Sequence, residues 1–121
     1  MIKFGYTILY VRDVEQSILF YEKAFGLKRK FIAPGNVYGE MDTGGTTLSF
    51  AEIEFAQTNL KSGVIKADLT NAPFAIEIGF TTDDVKKVYN EAISAGAMAV
   101  AELAVEGMKE LRLPLVGYLR E

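Results

Sequence analysis

The chain has 121 residues, of which 50% are hydrophobic and 24% charged, a composition typical of one globular domain with a single core. Its formal net charge of −3 argues against nucleic acid as the main partner, because surfaces that bind nucleic acid are basic. The absence of cysteine and histidine excludes disulfides, thiolate catalysis, cysteine-bound zinc and a Ser-His-Asp triad. No stretch of about 18 apolar residues occurs, so we expect no membrane partner and a cytoplasmic location.

The first half of the chain predicts one helix and four strands. Residues 6–11 are apolar or β-prone and predict the first strand. Asp13 is a typical helix N-cap and Gly26 a typical helix end, and apolar residues recur between them at helical spacing. The segments "LKRKFIA", "NVYGEMD" and "TTLSFAEIEF", separated by a "PG" turn and a "TGG" turn, predict three further strands in a meander.

The second half begins after a polar, turn-rich stretch that predicts a linker with a short helical turn. Residues 74–81 predict a fifth strand, and Asp83 or Asp84 caps a helix that closes at Gly96. The segments "AMAVAEL" and "RLPLVGYLR" predict two more strands, with Pro114 near the start of the last one, where a missing N–H is tolerated.

The two halves repeat each other. An offset of 71 residues relates Val14 to Val85 and Ile18 to Tyr89, which predicts a duplicated supersecondary unit. The predicted fold is therefore α+β: two βαβββ-type modules, the second lacking its last strand, which form a curved mixed sheet around a cleft. The predicted segments of this single domain are module 1 (1–56), the linker (57–73) and module 2 (74–121). The missing strand leaves an open sheet edge, from which we predict a homodimer.

Three segments resemble a known superfamily. "YVRDVEQSILFYEKAFGL" and "EIGFTTDDVKKVYNEAISAGA" are similar to the openings of the two modules of the vicinal oxygen chelate superfamily, and "YGEMDTGGTTLSFAE" is similar to its third and fourth strands. This superfamily includes glyoxalase I, bleomycin-resistance proteins and extradiol dioxygenases. The resemblance implies a glyoxalase/bleomycin-resistance-like fold over essentially the whole chain. It does not imply one activity, because this scaffold carries many chemistries.

The resemblance also implies four metal-ligand positions. Enzymes of the superfamily use a His or Glu in the first strand of each module and a carboxylate in the last strand of each module. Carried over, these positions are Tyr6, Glu77 and Ser49, and the fourth would follow the "GYLRE" at the end of this sequence. Tyrosine and serine are poor ligands for a divalent cation at neutral pH, so only Glu77 is usable. We therefore expect no metal cofactor, with a divalent metal as the alternative.

The resemblance also implies a cleft that could bind a ligand without a metal. Glu77 is either an inward carboxylate facing the cleft or an exposed residue on an alternating strand. An inward Ser49 places Ala51 and Ile53 on its face and Glu52 outside. Most of the aromatic residues are explained by core packing, and several on one concave sheet face form an apolar pocket. The predicted ligand-binding residues are Tyr6, Tyr38, Ser49, Phe50, Glu77 and Tyr118.

Three functions are open from the sequence. The first is metal-free binding of a small, partly apolar organic molecule, of the sequestration or resistance type. The second is a metal-dependent lyase, isomerase or dioxygenase of the same superfamily. The third is a degenerate or truncated copy without a ligand function. The first is favoured, because it requires only a cleft and a few placed polar groups, whereas the lost ligand positions count against the second.

Overall fold

The computed structural model describes residues 1–68, 70–72 and 74–99, together with the backbone of residues 110–114. In this part of the chain the fold is α+β, as predicted, with parallel and antiparallel strand pairs in one mixed sheet. No helix among the described residues is long and apolar enough to cross a membrane.

The first half forms a four-stranded sheet with one helix on it. Strands β1 and β4 are parallel, whereas β3 pairs antiparallel with both β4 and β2, so the sheet order is β1-β4-β3-β2. This is the predicted β-α-β-β-β unit. Its elements are β1 (Tyr6–Val11), α1 (Val14–Phe25), β2 (Lys28–Ile32), β3 (Tyr38–Asp42) and β4 (Thr47–Glu52).

Helix α1 begins and ends as its sequence predicts. The Asp13 carboxylate accepts the N–H of Gln16 at 3.2 Å, and Gly26 ends the helix in the left-handed region at φ 67°. Between these caps Val14, Ile18 and Tyr21 are fully buried, because their spacing places them on the face that packs against the sheet.

The β2–β3 turn is tied to the first turn of α1. Asn36, in the left-handed region at φ 57°, accepts the N–H of Glu15 at 2.9 Å and donates its side-chain amide to Asp13 at 3.0 Å. From β2, Arg29 forms ion pairs with Glu15 at 3.0 Å and Glu22 at 2.9 Å. These contacts hold the turn and the helix in one arrangement.

Strand β3 and helix α1 approach each other closely at a glycine. A Cβ at Gly39 would lie 2.6 Å from Cδ1 of Ile18 and 3.1 Å from Cγ1 of Val14, closer than van der Waals contact allows. The absent side chain therefore sets the depth at which α1 rests on the sheet.

The second half contains a second strand-helix unit. Strand β5 pairs antiparallel with β6, and α3 has its N-cap at Asp84, as predicted; it ends at Ser94 with Ala95 as its C-cap, and the predicted closing residue Gly96 follows at φ 113°. The two halves share the core: the rings of Phe25 and Phe80 lie 4.9 Å apart, and Ala92 belongs to the same buried cluster as α1. The elements after β4 are α2 (Ile53–Ala56), a 3₁₀ turn (Gln57–Asn59), β5 (Glu77–Thr81), α3 (Val85–Ser94) and β6 (Glu110–Pro114).

The fourth strand is shorter than predicted. It ends at Glu52, whose carboxylate accepts the N–H groups of Glu54 and Phe55 at 2.9 Å each and so starts α2. The prediction that Ile53 shares a strand face with Ser49 is therefore wrong. Ile53 lies in a helix, where period-two alternation does not apply.

Other boundaries in the second half also differ from the predictions. The fifth strand begins at Glu77 rather than Phe74, and residues 97–99 of the predicted sixth strand are not in a strand. Strand β6 begins at Glu110, two residues before the predicted seventh strand. The remaining residues of those two predictions lie outside the described part of the chain.

Candidate functional site

The four-stranded sheet has two different faces. Leu48 and Phe50 point towards α1, where the Phe50 ring lies 5.1 Å from that of Tyr21. Alternation along the strands places the intervening residues, such as Ser49, on the opposite face. We call this opposite side the open face. Its residues are Tyr6, Ile8, Tyr10, Lys30, Phe31, Tyr38, Glu40, Thr47, Ser49 and Ala51.

The strand register arranges the open face in rows across the sheet. One row runs from Ile8 through Ser49 and Glu40 to Phe31, since each is the cross-strand partner of the next. A neighbouring row runs from Tyr10 through Ala51 to Tyr38. Side chains in neighbouring rows are close to each other. The phenol of Tyr38, in the second row, therefore reaches the polar side chains of Ser49 and Glu40 at the centre of the first row.

Three polar side chains form a hydrogen-bonded chain at this centre. The Tyr38 hydroxyl lies 2.7 Å from Oε2 of Glu40 and 3.0 Å from Oγ of Ser49. A phenol has a single proton, and the carboxylate is the stronger acceptor. Tyr38 therefore donates to Glu40 and accepts from Ser49. This arrangement satisfies the hydroxyl of Ser49, which is fully buried.

The environment keeps Tyr38 protonated. Burial raises the pKa of the Tyr38 phenol above its ordinary value, and the nearby Glu40 carboxylate and Tyr6 raise it further, while the bond from Ser49 acts in the opposite direction. At neutral pH the phenol is therefore a neutral hydrogen-bond donor that fixes the orientation of Glu40.

Aromatic side chains surround this polar chain. Tyr6 is 59% exposed, Phe31 44% and Tyr10 37%, and the rings of Phe31 and Tyr38 lie 6.0 Å apart. A sheet face that combines half-exposed rings with a few oriented polar groups is typical of small-molecule sites.

The structure places the predicted site residues in different environments. It joins Tyr38 to Ser49 by a hydrogen bond, and Tyr6 lies near enough to Tyr38 to contribute to its raised pKa. Phe50, in contrast, is fully buried on the α1 face, so it packs in the core rather than on the open face.

Two of the predicted site residues stand apart from this group. Glu77 is exposed at the start of β5, and within the described residues no hydrogen bond joins it to Tyr6 or Ser49. Tyr118 lies outside the described part of the chain.

Sequence reasoning missed Glu40. The same alternation that selects Ser49 also places Tyr38 and Glu40 on one face of β3. What the sequence does not contain is the register that sets Glu40 opposite Ser49, or the irregularity between Arg29 and Phe31 that brings Phe31 opposite Glu40.

The residues at the metal-ligand positions that the superfamily resemblance implies do not fit a divalent cation. Tyr6 and Ser49 supply neutral hydroxyls, and the Ser49 oxygen is already bonded to Tyr38. Among the described residues, no three His, Cys, Asp or Glu side chains are grouped as metal ligands would be. The donor set found here thus suits hydrogen bonding to an organic molecule better than metal coordination.

A separate groove lies where the two halves meet. It has a volume of about 570 Å³ and an apolar lining that includes Phe25, Leu48 and Phe80. Threonines also line it, among them Thr7, Thr47 and Thr81. Of the predicted ligand-binding residues that the structure describes, none lines this groove, and of the open-face residues it shares only Thr47, so it is distinct from the centre of the open face.

The family of this chain follows from a match over most of its length. A family model described as Glyoxalase/Bleomycin resistance protein/Dioxygenase superfamily matches residues 3–112. This chain belongs to that superfamily. Membership confirms the resemblance noted from the sequence. The unclosed, curved sheet agrees with the predicted fold. The choice between binding and catalysis stays open. No curated protein sequence matches the chain.

Solved structures share the superfamily fold. A hypothetical protein from S. aureus is 26% identical with a TM-score of 0.66, and the match covers 97% of this chain and 89% of that one. A gene product from Arabidopsis thaliana is 18% identical with a TM-score of 0.61, covering 85% and 80%. A glyoxalase-related enzyme from Fulvimarina pelagi is 17% identical with a TM-score of 0.57; the match covers 79% of this chain and only 66% of that enzyme.

Proposed function

We propose that this protein binds a small, partly apolar organic molecule on the open face, without a metal. The observation that carries the proposal is the hydrogen-bonded chain of Ser49, Tyr38 and Glu40, set among half-exposed aromatic rings. The rings offer apolar surface to a ligand, and the polar chain offers an oriented carboxylate at the centre of that surface.

Binding on this face requires little rearrangement of the protein. Ser49 is buried and Tyr38 is held by two hydrogen bonds, so Glu40 is oriented before a ligand arrives. Preorganisation of this kind lowers the entropic cost of association. A molecule that covers Phe31 and Tyr6 removes apolar surface from water, which is the main favourable contribution.

The metal-free part of the proposal rests on donor chemistry. Of the carried-over ligand positions, only Glu77 holds a carboxylate, and one carboxylate does not make a stable all-protein site for a divalent cation. We expect the purified protein to contain less than one equivalent of Zn, Ni, Fe or Mn. Stoichiometric metal that is lost on Glu77→Ala substitution contradicts this expectation.

A fragment screen tests the binding proposal. Ligand-observed NMR with a library of small aromatic molecules should give hits whose binding is weakened severalfold by Phe31→Ala. The matched control is Ile93→Ala, which removes a comparably exposed apolar side chain from α3. The proposal is wrong if no fragment binds, or if both substitutions affect binding equally.

Two further features belong to the proposal. We also propose a homodimer, whose interface should bury more than roughly 1,000 Å² in total if it is biological. Sedimentation at micromolar concentration distinguishes it from a 13.3 kDa monomer. We also propose a cytoplasmic location, which the absence of cysteine supports.

A further inference from the structure

Glu40 is a half-buried carboxylate with an incomplete set of partners. Its Oε2 accepts the Tyr38 hydroxyl at 2.7 Å, and among the described residues no Lys or Arg lies within ion-pair distance of it. An ionised carboxylate has two oxygens and about four lone pairs, so most of its hydrogen-bonding capacity is not used by the described residues.

The surroundings of Glu40 favour a positive charge. Phe31 is its direct cross-strand partner, and the ring of Phe31 lies 6.0 Å from that of Tyr38. Aromatic faces attract organic cations through their quadrupole, most strongly where water is partly excluded. A carboxylate removed from water is likewise stabilised by a cationic partner. The Glu40 carboxylate and the aromatic rings on this part of the open face thus both favour a positively charged ligand.

From this charge complementarity we propose that the ligand of the open face is an organic cation, in which a protonated or quaternary amine next to an apolar group is held by Glu40 and the rings of Phe31 and Tyr38. This inference rests on the proposed binding function and narrows its ligand class. In the complex the amine donates to the Glu40 carboxylate, while the apolar group covers the aromatic side chains.

Lys30 limits the number of charges that the ligand carries. Its ammonium group lies on the same face and is bonded to Thr47 Oγ1 at 3.2 Å, not to Glu40. A second positive charge on the ligand would be repelled by this group. The site therefore suits a monocation with one apolar end rather than a diamine.

Three probes of similar size and different charge test this inference: benzylammonium, benzyl alcohol and benzoate. Each is titrated into ¹⁵N-labelled protein, and the shifts of the open-face amides give the affinity. A probe of about eight heavy atoms is expected to bind with a dissociation constant on the order of millimolar. We expect benzylammonium to bind about tenfold more tightly than benzyl alcohol, and benzoate to bind least.

Two charge-neutralising variants locate the effect. Glu40→Gln keeps an acceptor for Tyr38 but removes the charge, and should weaken benzylammonium about tenfold without changing benzyl alcohol. Glu91→Gln makes the same change in net charge on α3 and should leave both affinities unchanged. Circular dichroism confirms that each variant is folded.

The outcomes separate this inference from the function on which it rests. Equal affinity for benzylammonium and benzyl alcohol on the open face contradicts the cation inference and leaves the proposed binding function standing. Equal loss in Glu40→Gln and Glu91→Gln also contradicts it, because the effect is then one of net charge. No shift on the open face with any probe contradicts the binding function itself.

Discussion

The hydroxyls of Tyr38 and Ser49 lie 3.0 Å apart across neighbouring strands, and the bond joins two residues that the sequence places in one ligand site. Tyr38 in turn donates a hydrogen bond to Glu40, so a buried serine is connected to a half-exposed carboxylate through one phenol. The relationship gives the open face an oriented polar centre.

Removing the Tyr38 hydroxyl should cost stability because Ser49 is then buried without a partner. We expect Tyr38→Phe to lower the free energy of unfolding by about 1–2 kcal/mol, measured by urea denaturation. Ser49→Ala should reduce this penalty, since it removes the orphaned hydroxyl. Strictly additive effects in the double variant would show that the two groups are not bonded.

The raised pKa of Tyr38 predicts a specific alkaline behaviour. A group whose pKa is higher in the folded state than in the unfolded state contributes stability below the unfolded pKa of about 10, and that contribution is lost as pH rises through the folded pKa. Ultraviolet titration should show one tyrosine ionising later than the others. Tyr38→Phe should abolish that late step, whereas Tyr10→Phe should not.

The close approach at Gly39 predicts a large effect of a single methyl group. Gly39→Ala introduces a Cβ 2.6 Å from Cδ1 of Ile18 and should destabilise the fold by about 1–3 kcal/mol. Gly79→Ala is the control, because nothing lies within 4 Å of its Cβ position. Combining Gly39→Ala with Ile18→Val removes the clashing methyl, so the double variant should be more stable than the sum of the two costs predicts.

The contribution of Asn36 to stability can be separated into its left-handed backbone conformation and its hydrogen bonds. Asn36→Gly keeps the left-handed φ but loses the bonds to Asp13 and Glu15, whereas Asn36→Ala loses both. We expect thermal stability to fall in the order wild type, glycine, alanine, with about 1–2 kcal/mol between the extremes. An alanine variant as stable as wild type would contradict a structural role for the tie.

The ion pair between Arg29 and Glu22 predicts a small acid dependence. The hydrogen bond from Arg29 lowers the pKa of Glu22 below its ordinary value of 4.5, so the pair stabilises the fold above that pH and loses its effect as pH falls through the folded pKa. Because both side chains are about one-third exposed, we expect less than about 1 kcal/mol. Glu22→Gln should flatten the stability profile as pH falls below the ordinary value of 4.5.

Much of the fold was predictable because local chemistry determines it. The caps at Asp13 and Gly26, and the apolar spacing between them, specify α1 without help from the rest of the chain. The segment after Ala51 was not predictable in the same way, because "AEIEF" alternates like a strand while the Glu52 carboxylate caps a helix. Local patterns thus fail where one side chain competes with the alternation.

The candidate site was predictable only in part. Alternation along β4 places Ser49 away from the core, but the partner of Ser49 depends on the register between β3 and β4. Phe50 follows Ser49 directly on β4, and because a one-residue step moves a side chain to the other face, Phe50 is buried in the core.

The most direct test of metal-free binding on the open face is an NMR titration of ¹⁵N-labelled protein with benzyl alcohol, before and after treatment with EDTA. We expect the same affinity in both states, and shifts that concentrate at Tyr6, Tyr38, Glu40 and Ser49. Shifts that appear only before EDTA treatment, or that concentrate at the separate groove around Thr7 and Thr81, would contradict it.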